Sequence, residues 1–320
     1  MAKARVAVLI SGRGSNMAAL LYAAKHPDSP FEIALVAAND PDAPGLALAA
    51  AEGVPTFAHP HRGMTREAHD AVMDEAIRAA RADYVALAGY MRILSPGFVA
   101  GWEGRMLNIH PSLLPRYKGL HTHERALAAG DSHGGCSVHL VTAELDDGPV
   151  LGQTRVAIQP GDTPDSLAER VLIAEHQLYA RTLAAYVSRE SDPDWIVARV
   201  GELALALPET SARPSHGAPG WRVGGDKTGK YFAYVSIHHH GEEAIALLVK
   251  TSGADEQAAL IEADPALYYL PKFYAPSGWI ALRLDTGRTD WQHVADWLAK
   301  SWRAVAPKRL TRMMDVADEF

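Results

Sequence analysis

Cysteine is nearly absent: Cys136 stands alone in 320 residues. No intrachain disulfide framework can form, and a single thiol fits a reducing compartment. Positive charge is also scarce, with 31 Lys and Arg against 38 Asp and Glu and a net charge of −7. That balance offers no general attraction to phosphate backbones or anionic lipid, which disfavours nucleic-acid and membrane roles. Neither half conceals a basic domain, since residues 1–190 carry −4 and the remainder −3. Long apolar runs are missing too. The opening MAKARVAVLISGRGSN has about five consecutive apolar residues where a signal-peptide core needs ~7–15. No later run approaches the ~20 apolar residues of a membrane span. With 48% hydrophobic and 22% charged residues, and no repeat or low-complexity tract, the chain reads as folded, soluble and cytoplasmic.

What is present has a rhythm. ARVAVLI (4–10), FEIALVAA (31–38), YVALAGY (84–90) and RMLNIH (105–110) are short runs rich in Val, Ile and Leu, as expected of strands covered on both faces. Between them Asn16–Lys25, Pro44–Glu52 and Thr65–Arg81 carry good helix formers. Thr163-Pro164 opens a long helix through about Ser188, with Thr able to cap it and Pro favoured at its first position. Alternating β and α predicts an α/β, Rossmann-like domain with a mainly parallel sheet over residues 1–190. Pro, Gly and Ser then cluster, and residues 191–205 read as a linker. From 206 to 320 KYFAYVSIHHH, AIALLVK and GWIALRL read as strands, and Asp290–Ala306 as a closing helix. The expectation is a second, smaller α+β domain.

Three stretches carry candidate chemistry. Ser11-Gly12-Arg13-Gly14-Ser15-Asn16 falls where the first strand turns into the first helix; glycines permit close backbone approach, and free amides at a helix N-terminus attract phosphate. It matches neither familiar nucleotide fingerprint, and a plain glycine turn is the competing reading. In Asn108-Ile109-His110 the carboxamide and imidazole, two apart at a strand end, project to one side. Strand ends are where open α/β sheets bind ligands, and an ordinary histidine pKa of ~6.5 suits proton transfer; a packing histidine is the alternative. Glu144-Leu145-Asp146-Asp147-Gly148-Pro149 supplies a carboxylate able to hold that imidazole, yet Asp-Gly-Pro is also ordinary turn chemistry. Spacing alone leaves these alternatives open.

Together these pieces resemble the phosphoribosylglycinamide formyltransferase family. The matching stretches are LISGRGSN (9–16), LAGYMRILSP (87–96), LNIHPSLLPRYKGLHTHERAL (107–127), SVHLVTAELDDGPVLGQ (137–153) and AEHQLY (174–179), covering essentially all of residues 1–190. The resemblance implies formyl transfer from 10-formyltetrahydrofolate, as cosubstrate, to the amine of glycinamide ribonucleotide through a tetrahedral intermediate. It implies Asn108 as donor to the formyl oxygen, His110 as proton carrier and Asp146 as the carboxylate holding His110. The ribose phosphate is implied on Gly12, Arg13, Gly14, Ser15, Asn16 and Met17, largely through main-chain amides, with Glu175 at the glycinamide or ribose end. The folate is implied along Met91, Arg92, Ile93 and Leu94, opposite the Val141–Asp147 loop, with Asn108 and Arg66 near it; a solvated helix arginine is the other reading of Arg66. His121, His123 and His139 also match and are taken as structural or as supports standing behind the site residues. No metal is implied. Lys118 and Asp147 depart from the family's usual proline and glycine, and like-charge repulsion from Asp147 is expected to raise the Asp146 pKa.

The stretches LPETSARPSHGAPGWRVGGDKTGKYFAYV (207–235) and LPKFYAPSGWIALRLDTGRTDWQHVADWLAKSWRAVAPKRL (270–310) are similar to the MmcQ/YjbR-like family, small α+β domains of frataxin-like fold. His238-His239-His240 invites a metal reading, but strand alternation puts only His238 and His240 on one face, too few for a closed site. Trp291, Trp297 and Trp302 recur at helical spacing and read as core. Other readings of the whole chain are formylation of initiator methionyl-tRNA, hydrolysis of formyltetrahydrofolate, and a ligand-sensing regulator. The first would call for a basic surface, and GLHTH (119–123) points away from it. A binding module would not need Asn108, His110 and Asp146 together.

Overall fold

The structure is a computed structural model that describes residues 3–225, 229–238, 244–286 and 289–317. It divides into two compact units, Met1–Val187 and Ser188–Phe320.

In the first unit the strands are β1 (Ala4–Ile10), β2 (Phe31–Ala38), β3 (Thr56–Ala58), β4 (Tyr84–Leu87), β5 (Met106–His110), β6 (His133–Leu140) and β7 (Val150–Ala157). The helices are α1 (Ser15–Ala24), α2 (Pro44–Ala51), α3 (Arg66–Ala79), α4 (Pro96–Gly101), α5 (Thr122–Ala128) and α6 (Pro164–Ser188). One seven-stranded sheet runs β3-β2-β1-β4-β5-β6-β7. Its first five members are parallel, β6 runs against them and β7 turns back again. Strand alternation sorts β1 between two cores: Val6, Val8 and Ile10 pack with Met17, Leu20 and Leu178, while Ala7 and Leu9 pack with Met73, Ile77 and Trp102. Each large apolar side chain so buried contributes about 1.5–3 kcal/mol. Local signals set the helix starts. Thr65 Oγ1 accepts the Ala68 N–H at 3.2 Å ahead of α3, and Pro44 and Pro96 open α2 and α4.

The second unit holds β8 (Thr210–Ala212), β9 (Gly220–Val223), β10 (Lys230–Ile237), β11 (Ile245–Lys250), β12 (Tyr268–Tyr269) and β13 (Trp279–Arg283), with α7 (Pro193–Leu205), α8 (Ala254–Ala263), α9 (Trp291–Val305) and α10 (Lys308–Ala317). Its six-stranded sheet, ordered β12-β13-β11-β10-β9-β8, is antiparallel throughout. Val294, Trp297, Leu298 and Trp302 of α9 fill its core. The expected linker at 191–205 is not one. Asp192 caps α7 through the Asp194 N–H, Pro193 opens it, and Ile196, Val200 and Ala204 bury completely in that same core. A helix with an apolar face at this spacing cannot stay a solvated tether. His239, His240 and residues 241–243 lie outside the described residues; His238 is exposed just past β10.

Candidate active site

Three strand ends of the first unit build the site. The chain leaves β1 through Ser11–Gly14 and enters α1 with Gly14 at φ 70°. The positive φ favours glycine at position 14, and a β-carbon there would crowd Met17 Cε at 3.0 Å. No side chain caps α1 and no acidic residue sits in its first turn, which leaves its amides and the positive end of its dipole open to an anion. Arg13 and Ser15 are exposed, whereas Met17 is fully buried and offers only its main chain. Asn16 is buried and donates from Nδ2 to Glu175 Oε2 of α6 at 2.7 Å. Its Oδ1 is buried without a hydrogen-bond partner among the described residues, as expected of a group awaiting a ligand donor. Burial pushes the Glu175 carboxyl above its ordinary pKa, and the Asn16 amide offsets part of that rise.

The second element is the pairing of β5 with β6. Because these strands are antiparallel, Asn108 lies directly opposite His139 and His110 opposite Ser137. His139 Nδ1–H donates to the Leu140 carbonyl at 2.8 Å, and its Nε2 lies 3.2 Å from Asn108 Nδ2. That contact holds the Asn108 carboxamide beside the ring, with N–H groups to offer a substrate oxygen. His110 is buried, with Nε2 2.9 Å from the Tyr117 carbonyl and Nδ1 3.3 Å from Asp146 Oδ2. Both neighbours are acceptors, so the imidazolium form of this ring has an acceptor for each N–H. Asp146 also receives the Gly119 N–H at 2.9 Å and lies 3.5 Å from His139 Nε2.

Burial alone would raise the Asp146 carboxyl; His139, the Gly119 N–H and the charge of the two imidazoles outweigh it and hold the group below its ordinary pKa. The expected upward push from Asp147 does not dominate, because Asp147 is exposed and ion-paired with Lys118. The two departures from the family pattern thus neutralise each other. Asp146, Tyr117 and His121 have φ of 52°, 58° and 60°, and left-handed non-glycine residues concentrated in one place are a mark of functional loops. At Gly148 a β-carbon would fall 1.9 Å from the Leu140 oxygen, so glycine is required for the loop to return against β6.

The third element follows β4. Met91 and Ile93 are 71% and 59% exposed, an apolar pair held in solvent, while Leu94 and Val141 pack against the core below. Arg92 is half-buried between them. The Ser95 N–H donates to the buried Asp70 carboxylate at 2.6 Å, tying the far end of this segment to α3. Arg66, on the first turn of α3, is exposed.

The structure therefore joins His110 directly to Asp146, links Asn108 to Asp146 through His139, joins Asn16 to Glu175, and leaves Arg66 on the surface. Of the two readings of His139, structural or supporting the site, its contacts with both Asn108 and Asp146 favour the second. The Tyr117 carbonyl and Gly119 amide also belong to the constellation. Only the β5–β6 register could have revealed His139, and main-chain groups leave no trace in side-chain identity. Cys136 is fully buried in β6, and burial and the nearby Glu175 push its thiol up to about 12, which removes it as a nucleophile. Among the described residues no group of three or more His, Cys, Asp or Glu is arranged to hold a metal ion.

An α/β sheet with its polar residues gathered at the strand ends defines a ligand-binding enzyme domain, and comparison with known proteins gives its class. Residues 4–183 match the family model described as formyl transferase, and the chain belongs to that family. Within it the chain resembles one kind of member. It is 46% identical over 175 residues to the phosphoribosylglycinamide formyltransferase of Escherichia coli, spanning 54% of this chain and 82% of that protein. The crystal structure of phosphoribosylglycinamide formyltransferase from Brucella melitensis superposes with a TM-score of 0.56 at 48% identity, over 58% of this chain and 96% of that one. The trifunctional purine biosynthetic protein adenosine-3 of Drosophila melanogaster is 44% identical over 187 residues, and there the chain spans 14% of the relative's length. Residues 205–304 match the YjbR model.

Proposed function

We propose that this chain is a phosphoribosylglycinamide formyltransferase: it moves the formyl group of 10-formyltetrahydrofolate to the amine of glycinamide ribonucleotide, a step of purine biosynthesis. The observation that carries the reading is the contact of His110 with Asp146 beside Asn108 and His139 at the ends of β5 and β6, in a chain of this family. The amine nitrogen attacks the formyl carbon, and the carbonyl oxygen gains negative charge. An N–H of Asn108 meets that charge, a donor role worth about 2.7–4 kcal/mol where such donors have been removed in other enzymes. As the tetrahedral intermediate collapses, the proton lost by the amine must reach the departing folate nitrogen. His110 carries it, and Asp146 holds the ring and stabilises its cation, together contributing ~10²–10⁴ in rate. Delivery requires His110 Nε2 to exchange the Tyr117 carbonyl for a substrate nitrogen, a contact that tightens only in the complex.

The open N-terminus of α1 supports Gly12, Arg13, Gly14, Ser15, Asn16 and Met17 as the phosphate cradle, with Glu175 at the sugar or glycinamide end. The exposed apolar pair supports Met91, Arg92, Ile93 and Leu94 as the folate platform facing Val141. Arg66 belongs to the same reading as a distant charge toward the folate's carboxylates. No helix of the described residues is long and apolar enough to cross a membrane, and a cytoplasmic location accords with the lone cysteine.

The test is formyl transfer by purified protein with both substrates, following folate product with and without the amine. Amine-dependent product carrying the formyl group is the expected result. Folate release at the same rate without the amine would overturn the assignment in favour of hydrolysis, and binding without turnover would make the protein a sensor.

A further inference from the structure

Ser11 belongs to neither substrate loop as assigned above, yet it is the residue through which the two touch. It lies at the end of β1, with the end of β2 on one side and the end of β4 on the other. Its N–H donates to the Gly89 carbonyl at 3.2 Å. Its hydroxyl has a single hydrogen, which goes to Oδ1 of the buried Asn39 at 2.5 Å. With that hydrogen engaged, the hydroxyl oxygen accepts the Met91 N–H at 2.8 Å. Asn39 is itself held, with Nδ2 3.1 Å from His61 Nδ1. A donor–acceptor chain of this kind polarises each member and fixes the direction of the Ser11 hydroxyl. One residue further on, the Gly12 carbonyl accepts the Gly45 N–H at 3.1 Å, so the phosphate loop departs from the same fixed point.

We propose that Ser11 is a positioning residue that couples the two subsites: order imposed on residues 12–17 by a bound phosphate is passed through the Ser11 hydroxyl to Met91 and the apolar platform behind it. This rests on the reading of 12–17 and 91–94 as nucleotide and folate loops. The Ser11 hydroxyl spends its hydrogen on Asn39 and one of its two lone pairs on Met91, both within the protein. Coupling of this kind is reciprocal, so each substrate tightens the other by the same factor.

The test compares wild type with Ser11→Ala, Ser11→Thr and Asn39→Ala in the full chain. Folate affinity is measured with and without saturating glycinamide ribonucleotide, steady-state constants are determined, and amide exchange is followed at Met91. For Ser11→Ala we expect fast exchange at Met91 and a folate KM raised by about three- to tenfold, the net worth of one hydrogen bond. The rate constant at saturation should change little, and nucleotide should no longer tighten folate. Ser11→Thr, which keeps the hydroxyl, should restore exchange protection and coupling, and Asn39→Ala should repeat the loss more weakly. Unchanged Met91 exchange or retained coupling in Ser11→Ala overturns the proposal. A wild type without amine-dependent turnover instead overturns the functional assignment, and the exchange comparison then still decides whether Ser11 holds the Met91 segment.

Discussion

The two units bury polar groups in different ways. In the first, Asn16, His69, Asp70, His110, His139, Asp146 and Glu175 are all less than a tenth exposed. In the second, the buried polar side chains among the described residues are Arg222, Gln257 and Ser301, and each ties backbone together. Arg222 donates to the Gly229 carbonyl, Gln257 to those of Ala275 and Trp279, and Ser301 to that of Phe232. Burying an ionisable group is costly. On the proposed function His110, Asp146 and Glu175 are buried for the reaction, whereas the second unit uses apolar and aromatic packing for cohesion.

The largest effect expected from breaking this contrast is on turnover. His110→Ala and Asp146→Asn should each lower kcat by ~10²–10⁴. Asparagine tolerates the left-handed backbone of position 146, so a near-wild-type Tm for Asp146→Asn, read by circular dichroism, separates lost chemistry from lost fold. Next is the core of the second unit. Trp302 is fully buried with Nε1 donating to the Pro208 carbonyl at 3.2 Å, and Trp302→Ala should cost about 3–5 kcal/mol in denaturant unfolding. Formyl transfer should keep its rate; parallel loss of activity would break the separation of roles.

A somewhat smaller loss, about 2–5 kcal/mol, is expected for Ile196→Ala on α7. A chain started at residue 206 should then fail to fold where one started at 188 succeeds, as judged by cooperative unfolding. The smallest effect has the opposite sign. Because the Glu175 pKa is raised in the folded state, its contribution is intact below the unfolded carboxylate value and is lost as pH rises through the folded one. Glu175→Gln keeps an acceptor for Asn16 and removes that loss. It should stabilise the protein at neutral pH by about 0.5–2 kcal/mol while impairing turnover, and the gain should shrink as pH falls toward 4. Asp146 runs the other way: its depressed pKa gives stability above the unfolded value that fades as pH falls through the folded one.

Much of this was legible in the chain. β1 and β2 occupy the runs read for them, because continuous Val, Ile and Leu leave few alternatives for doubly covered strands. Asn108 and His110 follow from the same pleat. What escaped needed partners. The edge strand β7 alternates exposed and half-buried positions, too weak a signal without knowing that it hairpins onto β6. The linker error came from weighing Pro and Ser over the Ile196–Val200–Ala204 spacing, the stronger physical signal. Asp147 was read through its nearest charge in sequence; Lys118, which decides its state, is its neighbour only in space.

The sole cysteine has a practical consequence. Cys136 sits inside the sheet with its thiol held in the protonated form, so it is silent toward maleimides and other thiol-directed dyes while the fold is intact. Any cysteine introduced on the surface therefore becomes a unique attachment point without prior removal of the native one. A fluorophore placed on the exposed Leu145 position would report the surroundings of that loop in single molecules as each substrate is added.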